Sequence, residues 1–310
     1  MEKKPKKKIV LSFFSLCTLL FLGIFLFQSR RLYLQEWTQR NEAKEVKQEQ
    51  NKEKMQYKKA KEKEEERLSL LNEEIQSLLK NQSALVGFSF YDLTTKETLS
   101  LNANIPFQAG STFYIPVALI VADKIYAKQL DPEEKIPYEG ITPKVNEGEI
   151  YKNPKESYTI EDLLRLMLAY NDSIAYEMLV QVLGGEKEVL QYLQQYYDKN
   201  QPVKEKEPCL TAGTALYYLR LLYENPTNNP EYINIQKWLL KSGNSGLATK
   251  TTREKMAHRS SFREENYHDI GIYYGAHPYI VTIYTKGDRD GDYIIGQISD
   301  DVYKMVQKEG

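Results

Sequence analysis

Cysteine is nearly missing from this sequence: only two of its 310 residues are Cys, and histidine stops at three. Cys17 lies inside an apolar run and Cys209 stands alone in the rest, so no disulfide framework within one chain is expected. No C-x-x-C and no histidine cluster occurs, so neither a metal nor another cofactor is expected. An excess of one charge is missing too. Lys and Arg number 42 against 43 Asp and Glu, a net charge of −1, which speaks against nucleic acid as a partner. Long hydrophobic runs are missing after residue 27, and Gly and Pro are absent from 32 to 67.

What is present follows an order along the chain. Lys3, Lys4, Lys6, Lys7 and Lys8 form a basic tail, expected to be cytoplasmic over 1–8. Residues 9–27 are mostly apolar and long enough for a transmembrane helix. Small residues at A-x-A spacing are missing around Phe27-Gln28-Ser29-Arg30, so an uncleaved anchor is expected rather than a cleaved signal peptide. The chain is then expected in the cell membrane as a single-pass protein, with everything after Arg31 outside. Residues 28–65 read as a charged helical stalk, with opposite charges at i,i+3 and i,i+4. Its sparse apolar residues, Trp37, Val46, Met55 and Tyr57 among them, leave open a coiled coil with an envelope protein partner through 32–80.

From 66 to 310 the pattern is that of one α+β domain. Leu68, Leu71, Ile75 and Leu78 form an apolar helical stripe. Residues 84–92 alternate as a strand and 98–102 return as its hairpin partner. Gln108-Ala109-Gly110-Ser111-Thr112 then opens an apolar helix, with Ile115, Ala118, Leu119, Ala122 and Ile125 at helical spacing. Ser111 is thus placed at a helix N-terminus, as a nucleophile or, together with Thr112, merely as a cap. Thr159 caps a second helix leading to Asn171-Asp172-Ser173, and further helices are expected over about 175–183, 186–197 and 212–223. Strands are expected at 256–262, 269–275 and 278–286, and a closing helix over 292–308. The order implies an antiparallel sheet built from both ends, about 66–104 and 256–310. An all-α subdomain, about 105–255, is inserted between them.

This order and these motifs resemble the serine β-lactamase and penicillin-binding superfamily, closest to the class A β-lactamases. The family set is S-x-x-K, S-D-N and K-T-G. The first reads Ser111-Thr112-Phe113-Tyr114 here, so the serine is kept and Tyr114 stands at the position of the lysine. The second reads Asn171-Asp172-Ser173, with Asn171 at the position of the serine. The third reads Arg259-Ser260-Ser261. Lys241-Ser242-Gly243 fits the third motif as a string, but it follows a helix and no strand follows it directly. The resemblance implies Ser111 as candidate nucleophile and an oxyanion hole of the Ser111 and Phe262 backbone N–H groups. It also implies ligand contacts from Ser173, Arg259, Ser260 and Ser261. The E-x-x-L-N element of the family enzymes has no counterpart in 200–211, where Glu205 and Glu207 read as loop acids.

Acyl transfer by serine needs a base, and an unperturbed tyrosine, with a pKa of about 10, is protonated near neutrality. Tyr114 would need a strong downward shift to serve. His258, His268 and His277 are the only candidates for a substitute relay with Asp269. The leading expectation is a membrane-anchored β-lactamase-like protein with a degenerate site. It would bind a peptidoglycan peptide, a β-lactam or an envelope protein, with little or no turnover. Two alternatives stand beside it: an active serine hydrolase or acyltransferase with a non-standard base, and an envelope or division assembly protein acting through its stalk.

Overall fold

The computed structural model describes residues 6–80, 82–139, 148–197, 208–243 and 245–307, with side chains from residue 18 onward. The chain divides into two compact units, Met1–Glu66 and Arg67–Gly310.

The first unit consists of helix α1 (Lys6–Leu79), whose last turns belong to the second unit. Exposed i,i+4 pairs line it, Lys58–Glu62 at 3.7 Å and Lys61–Glu65 at 3.8 Å. Each contributes about 0.2–0.5 kcal/mol to helix stability. Trp37, Val46, Met55 and Tyr57 are exposed. Among the described residues no helix is long and apolar enough to cross a membrane. The side chains of 9–17, the first part of the expected 9–27 span, lie outside the described residues.

The second unit begins with the end of α1, where Leu68, Leu71 and Ile75 are buried. The hairpin β1 (Leu85–Asp92) and β2 (Thr98–Leu101) follows. Then come β3 (Phe107–Gln108), a 3₁₀ turn at Gly110–Phe113 and α2 (Tyr114–Tyr126). The helical middle contains β4 (Lys135–Pro137), α3 (Glu149–Lys152), β5 (Ser157–Thr159), α4 (Ile160–Tyr170), α5 (Ser173–Val182) and α6 (Glu186–Tyr196). It ends with β6 (Cys209–Leu210), α7 (Ala212–Glu224) and α8 (Pro230–Leu239). The chain closes with β7 (Met256–Arg263), β8 (Asn266–Tyr273), β9 (Tyr279–Lys286) and α9 (Gly291–Gln307).

One antiparallel sheet holds the strands in the order β2-β1-β9-β8-β7. The two ends of the unit therefore meet at β1 and β9, paired from Leu85 opposite Lys286 to Asp92 opposite Tyr279. Alternation along β9 separates two cores. Tyr279, Val281 and Ile283 face α9 and the end of α1, while Ile280 and Tyr284 face the helical half. Helix α2 is buried from Tyr114 to Ala122, because its sequence is apolar on every side. Thr159 and Thr211 cap α4 and α7 as their sequences indicate, each accepting an N–H from three residues on.

The sheet departs from the sequence reading at one hairpin. Strand β8 starts at Asn266 rather than at 269, because Arg263 already pairs with Asn266 across Glu264-Glu265. Glu264 takes φ +57 there. A turn made by two glutamates carries none of the usual Gly or Asn signal.

Candidate functional site

Ser111 stands half-buried in the turn between β3 and α2, on ground fixed from below. The Ala109 N–H donates to the Pro208 carbonyl at 2.9 Å. Thr112 Oγ1 donates to the Ala109 carbonyl at 2.7 Å and lies 3.0 Å from the Tyr284 hydroxyl. His268 Nε2 reaches the Gln108 carbonyl at 2.8 Å. No side chain caps α2, so neither Ser111 nor Thr112 is used as its N-cap. The Ser111 hydroxyl is left facing Tyr114.

Tyr114 is 6% exposed and stacks on Tyr176 at 4.8 Å between ring centroids. Burial pushes its phenol up to about 12, against smaller opposing effects of a hydrogen bond with Ser111 and the nearby Arg259 cation. Desolvation wins because a phenolate in this apolar packing loses more hydration than one cation returns. Tyr114 is therefore a neutral phenol at neutral pH. The downward shift that a base would require is absent.

Asn171-Asp172-Ser173 forms the hinge from α4 to α5. Asn171 adopts φ +58 and ends α4, a left-handed position that Asn tolerates well. Asp172 is fully buried and works on the backbone. Its Oδ1 accepts the Ile174 and Ala175 N–H groups at 3.0 Å each, capping α5. Its Oδ2 accepts the Ile150 N–H at 2.8 Å, which ties down α3. Gly148 lets this happen: a Cβ there would lie 2.6 Å from Asp172 Oδ2. Ser173 is half-buried, and its Oγ has no hydrogen-bond partner among the described residues.

Arg259-Ser260-Ser261 lies on the edge strand β7, beside the Ser111 turn. Arg259 is 3% exposed. Its Nη1 donates to the Leu168 carbonyl at 3.1 Å, to the Met167 carbonyl at 3.4 Å and to Asn171 Oδ1 at 3.4 Å. Its Nη2 donates to Ser242 Oγ, and Nε has no partner among the described residues. The cation thus sits on the C-terminal carbonyls of α4, where the helix dipole favours positive charge. Burial nevertheless lowers it to about 10. The fork is engaged with protein oxygens. Lys241-Ser242-Gly243 lies in the turn after α8 and contributes Ser242 to this contact. Ser260 is half-buried, while Ser261 turns inward, its Oγ 3.2 Å from the Ser111 amide nitrogen. Phe262 is 66% exposed and rests on Tyr267 at 4.4 Å.

None of the described histidine contacts reaches Ser111. Burial lowers His268 to about 4, so it is neutral, and its ring packs on Tyr284 at 4.7 Å. His258 meets Asp269 instead, Nδ1 to Oδ1 at 3.0 Å, with both residues buried. Its Nε2 faces the Gly243 carbonyl at 2.9 Å. Ser245 Oγ donates to Asp269 Oδ2 and lies 3.1 Å from the same Nδ1. The Leu247 N–H donates to Asp269 Oδ2 at 3.0 Å. This cluster clamps the segment around 243–247 against β7 and β8. Of the segment 200–211, which would carry E-x-x-L-N, residues 200–207 with Glu205 and Glu207 lie outside the described residues. Among the described residues no group of three or more His, Cys, Asp or Glu is placed to hold a metal.

Sequence reasoning missed Gly110, Tyr176, Ser242 and Ser245 as members of this neighbourhood. Two of them carried a signal: Gly110 as a glycine directly before the candidate nucleophile, and Ser242 within the Lys241-Ser242-Gly243 string. Tyr176 and Ser245 reach the neighbourhood from distant segments.

Comparison with known proteins agrees with this geometry. Two β-lactamases of Pseudomonas aeruginosa are similar over part of their length. Beta-lactamase VEB-1 is 27% identical over 139 residues, 43% of this chain and 46% of that enzyme. Extended-spectrum beta-lactamase PER-1 is 22% identical over 160 residues, 48% of this chain and 50% of that enzyme. The matches thus span about half the length of these relatives. Among solved structures, PBP-A superposes with a TM-score of 0.69 at 19% identity, covering 77% of this chain and 96% of PBP-A. An ancestral class A β-lactamase of Gram-negative bacteria gives 0.64 at 18%, covering 76% and 99%. The fold is therefore class A β-lactamase-like. The family model described as the beta-lactamase enzyme family matches residues 70–306, and the chain belongs to that family.

Proposed function

We propose that this chain is a membrane-anchored, extracytoplasmic β-lactamase-like protein whose serine site binds ligand with little or no turnover of β-lactams. One observation carries the reading. The group beside the Ser111 hydroxyl is the phenol of Tyr114, raised to about 12. Loss of a general base typically costs on the order of 10²–10⁴ in rate. Asn171 in place of a hydroxyl also takes away a group that could pass a proton to a leaving nitrogen. A point mutant of PBP-A, which shares the fold at a TM-score of 0.69, forms an acyl-enzyme complex with penicillin G. Penicillin is a cyclic amide, so an amide-bearing cell-wall peptide is the ligand class proposed for the cleft. The lysine tail and the apolar 9–27 run support the anchor.

Hydrolysis of a chromogenic cephalosporin by the full chain in detergent tests the reading. The expected rate equals that of Ser111→Ala. A rate that depends on Ser111 overturns it. The anchor is tested separately by adding protease to intact cells, which should remove the folded unit and spare the tail.

A further inference from the structure

The hydroxyl of Ser111 meets Tyr114, and its backbone amide is engaged as well. The Ser111 N–H donates to Ser261 Oγ at 3.2 Å. Ser261 is 8% exposed and is held on β7, opposite His268 of β8. Gly110 makes the contact possible. It has φ +50, and a Cβ there would overlap the Ser261 hydroxyl and lie 3.2 Å from Ser261 Cβ. Glycine at 110 and a hydroxymethyl group at 261 are two halves of one fit, made by residues that lie far apart in sequence.

A centre attacked by Ser111 Oγ places its developing oxyanion close to the amide of the same residue. Backbone N–H groups held at that place stabilise the charge, and losing one such donor costs on the order of 10²–10³ in rate. A donor engaged by a fixed hydroxyl has to be released before an oxyanion can use it. We propose that Ser261 is a built-in plug of the oxyanion position, which closes Ser111 to tetrahedral adducts. The inference deepens the reading of a serine site without turnover and rests on it, but through a different contact. Tyr114 removes the base; Ser261 withdraws the oxyanion donor.

Phenylboronic acid separates the two, because it binds a serine without needing acyl transfer. The Ser111 oxygen donates a lone pair to boron, an O–B bond forms, and the hydroxyl proton goes to solvent. No bond to boron breaks, and the tetrahedral boronate carries one negative charge beside the Ser111 amide. In the full chain, Ser261→Gly is expected to bind at least about tenfold more tightly than the parent. Ser261→Ala removes only the hydroxyl and should fall between them, which keeps the test available if the glycine variant fails to fold. Adding Ser111→Ala to Ser261→Gly should abolish the gain. Hydrogen exchange at the Ser111 amide should speed up in Ser261→Ala. Equal boronate affinity in the parent and both Ser261 variants, or unchanged exchange at that amide, overturns the proposal. Ser111-dependent cephalosporin hydrolysis by the parent would remove the reading of a non-turnover site and leave the boronate comparison to judge Ser261 alone.

Discussion

Strand β7 carries two polar corners, one at His258 and one at Ser261, and they use similar residues to opposite ends. The His258 corner assembles a serine, a histidine and an aspartate, the residue types of a hydrolytic relay. In a working relay the carboxylate and the nucleophile address opposite nitrogens of the ring. Here Asp269 and Ser245 both address Nδ1, and the Gly243 carbonyl closes Nε2. Every group is turned on its neighbour, which makes the corner a clamp. The Ser261 corner, among the described residues, has no contact that brings a carboxylate or an imidazole to the nucleophile. It keeps Ser111 half-exposed, beside a neutral phenol and under a hydroxyl from the strand. Chemistry at the two corners is thus set by which atom faces which, more than by which residue types are present.

The largest effect should come from the clamp. Asp269→Ala leaves His258 and the Leu247 N–H without their buried acceptor, and we expect a loss of about 3–5 kcal/mol in urea unfolding. A loss below about 1 kcal/mol would mean that the clamp is not structural and would reopen its chemistry.

Next comes His268, which links the strand beside the clamp to the turn of Ser111. Its pKa falls from the usual 6.5 to about 4 on folding. Between these values the unfolded chain binds the extra proton, so stability is present above about pH 6.5 and is lost as pH drops toward 4. The loss should approach about 3 kcal/mol, and His268→Gln should remove that part of the slope. A slope that is the same in both proteins would show that His268 is not held neutral.

A smaller effect should appear at the Ser111 corner. Gly110→Ala is expected to cost about 2 kcal/mol, from φ +50 and from overlap with Ser261. In a Ser261→Gly background the steric share should vanish, leaving a coupling of at least about 0.5 kcal/mol in a double-mutant cycle. Additive costs would break the reciprocal fit. The smallest change is Tyr114→Phe, which removes the phenol beside Ser111 and should cost about 1 kcal/mol without altering cephalosporin hydrolysis.

Much of the framework was legible in the residues. Alternation marked β1, a β-rich run marked β9, the hydroxyl caps at Thr159 and Thr211 marked α4 and α7, and apolar residues at helical spacing after Tyr114 marked the central helix. The β7–β8 turn was not legible, because Glu264-Glu265 carries no turn chemistry and is imposed by pairing on both sides. The two- and three-residue strands β3 to β6 fall below any periodic signal. At the site, Ser111, Tyr114 and Arg259 could be placed from motif spacing. Their states could not. The raised phenol of Tyr114 comes from packing against α5, and the embedded guanidinium of Arg259 comes from the end of α4. The contact of Ser261 with the Ser111 amide joins positions 150 apart in sequence, so only the assembled fold displays it.

The most direct measurement is the intact mass of the full chain after incubation with penicillin G, beside Ser111→Ala. With the proposed non-turnover site, in which Tyr114 is a neutral phenol and the Ser111 amide is engaged by Ser261, both masses should stay unchanged. An adduct of penicillin mass on the parent that is absent from Ser111→Ala would contradict the account.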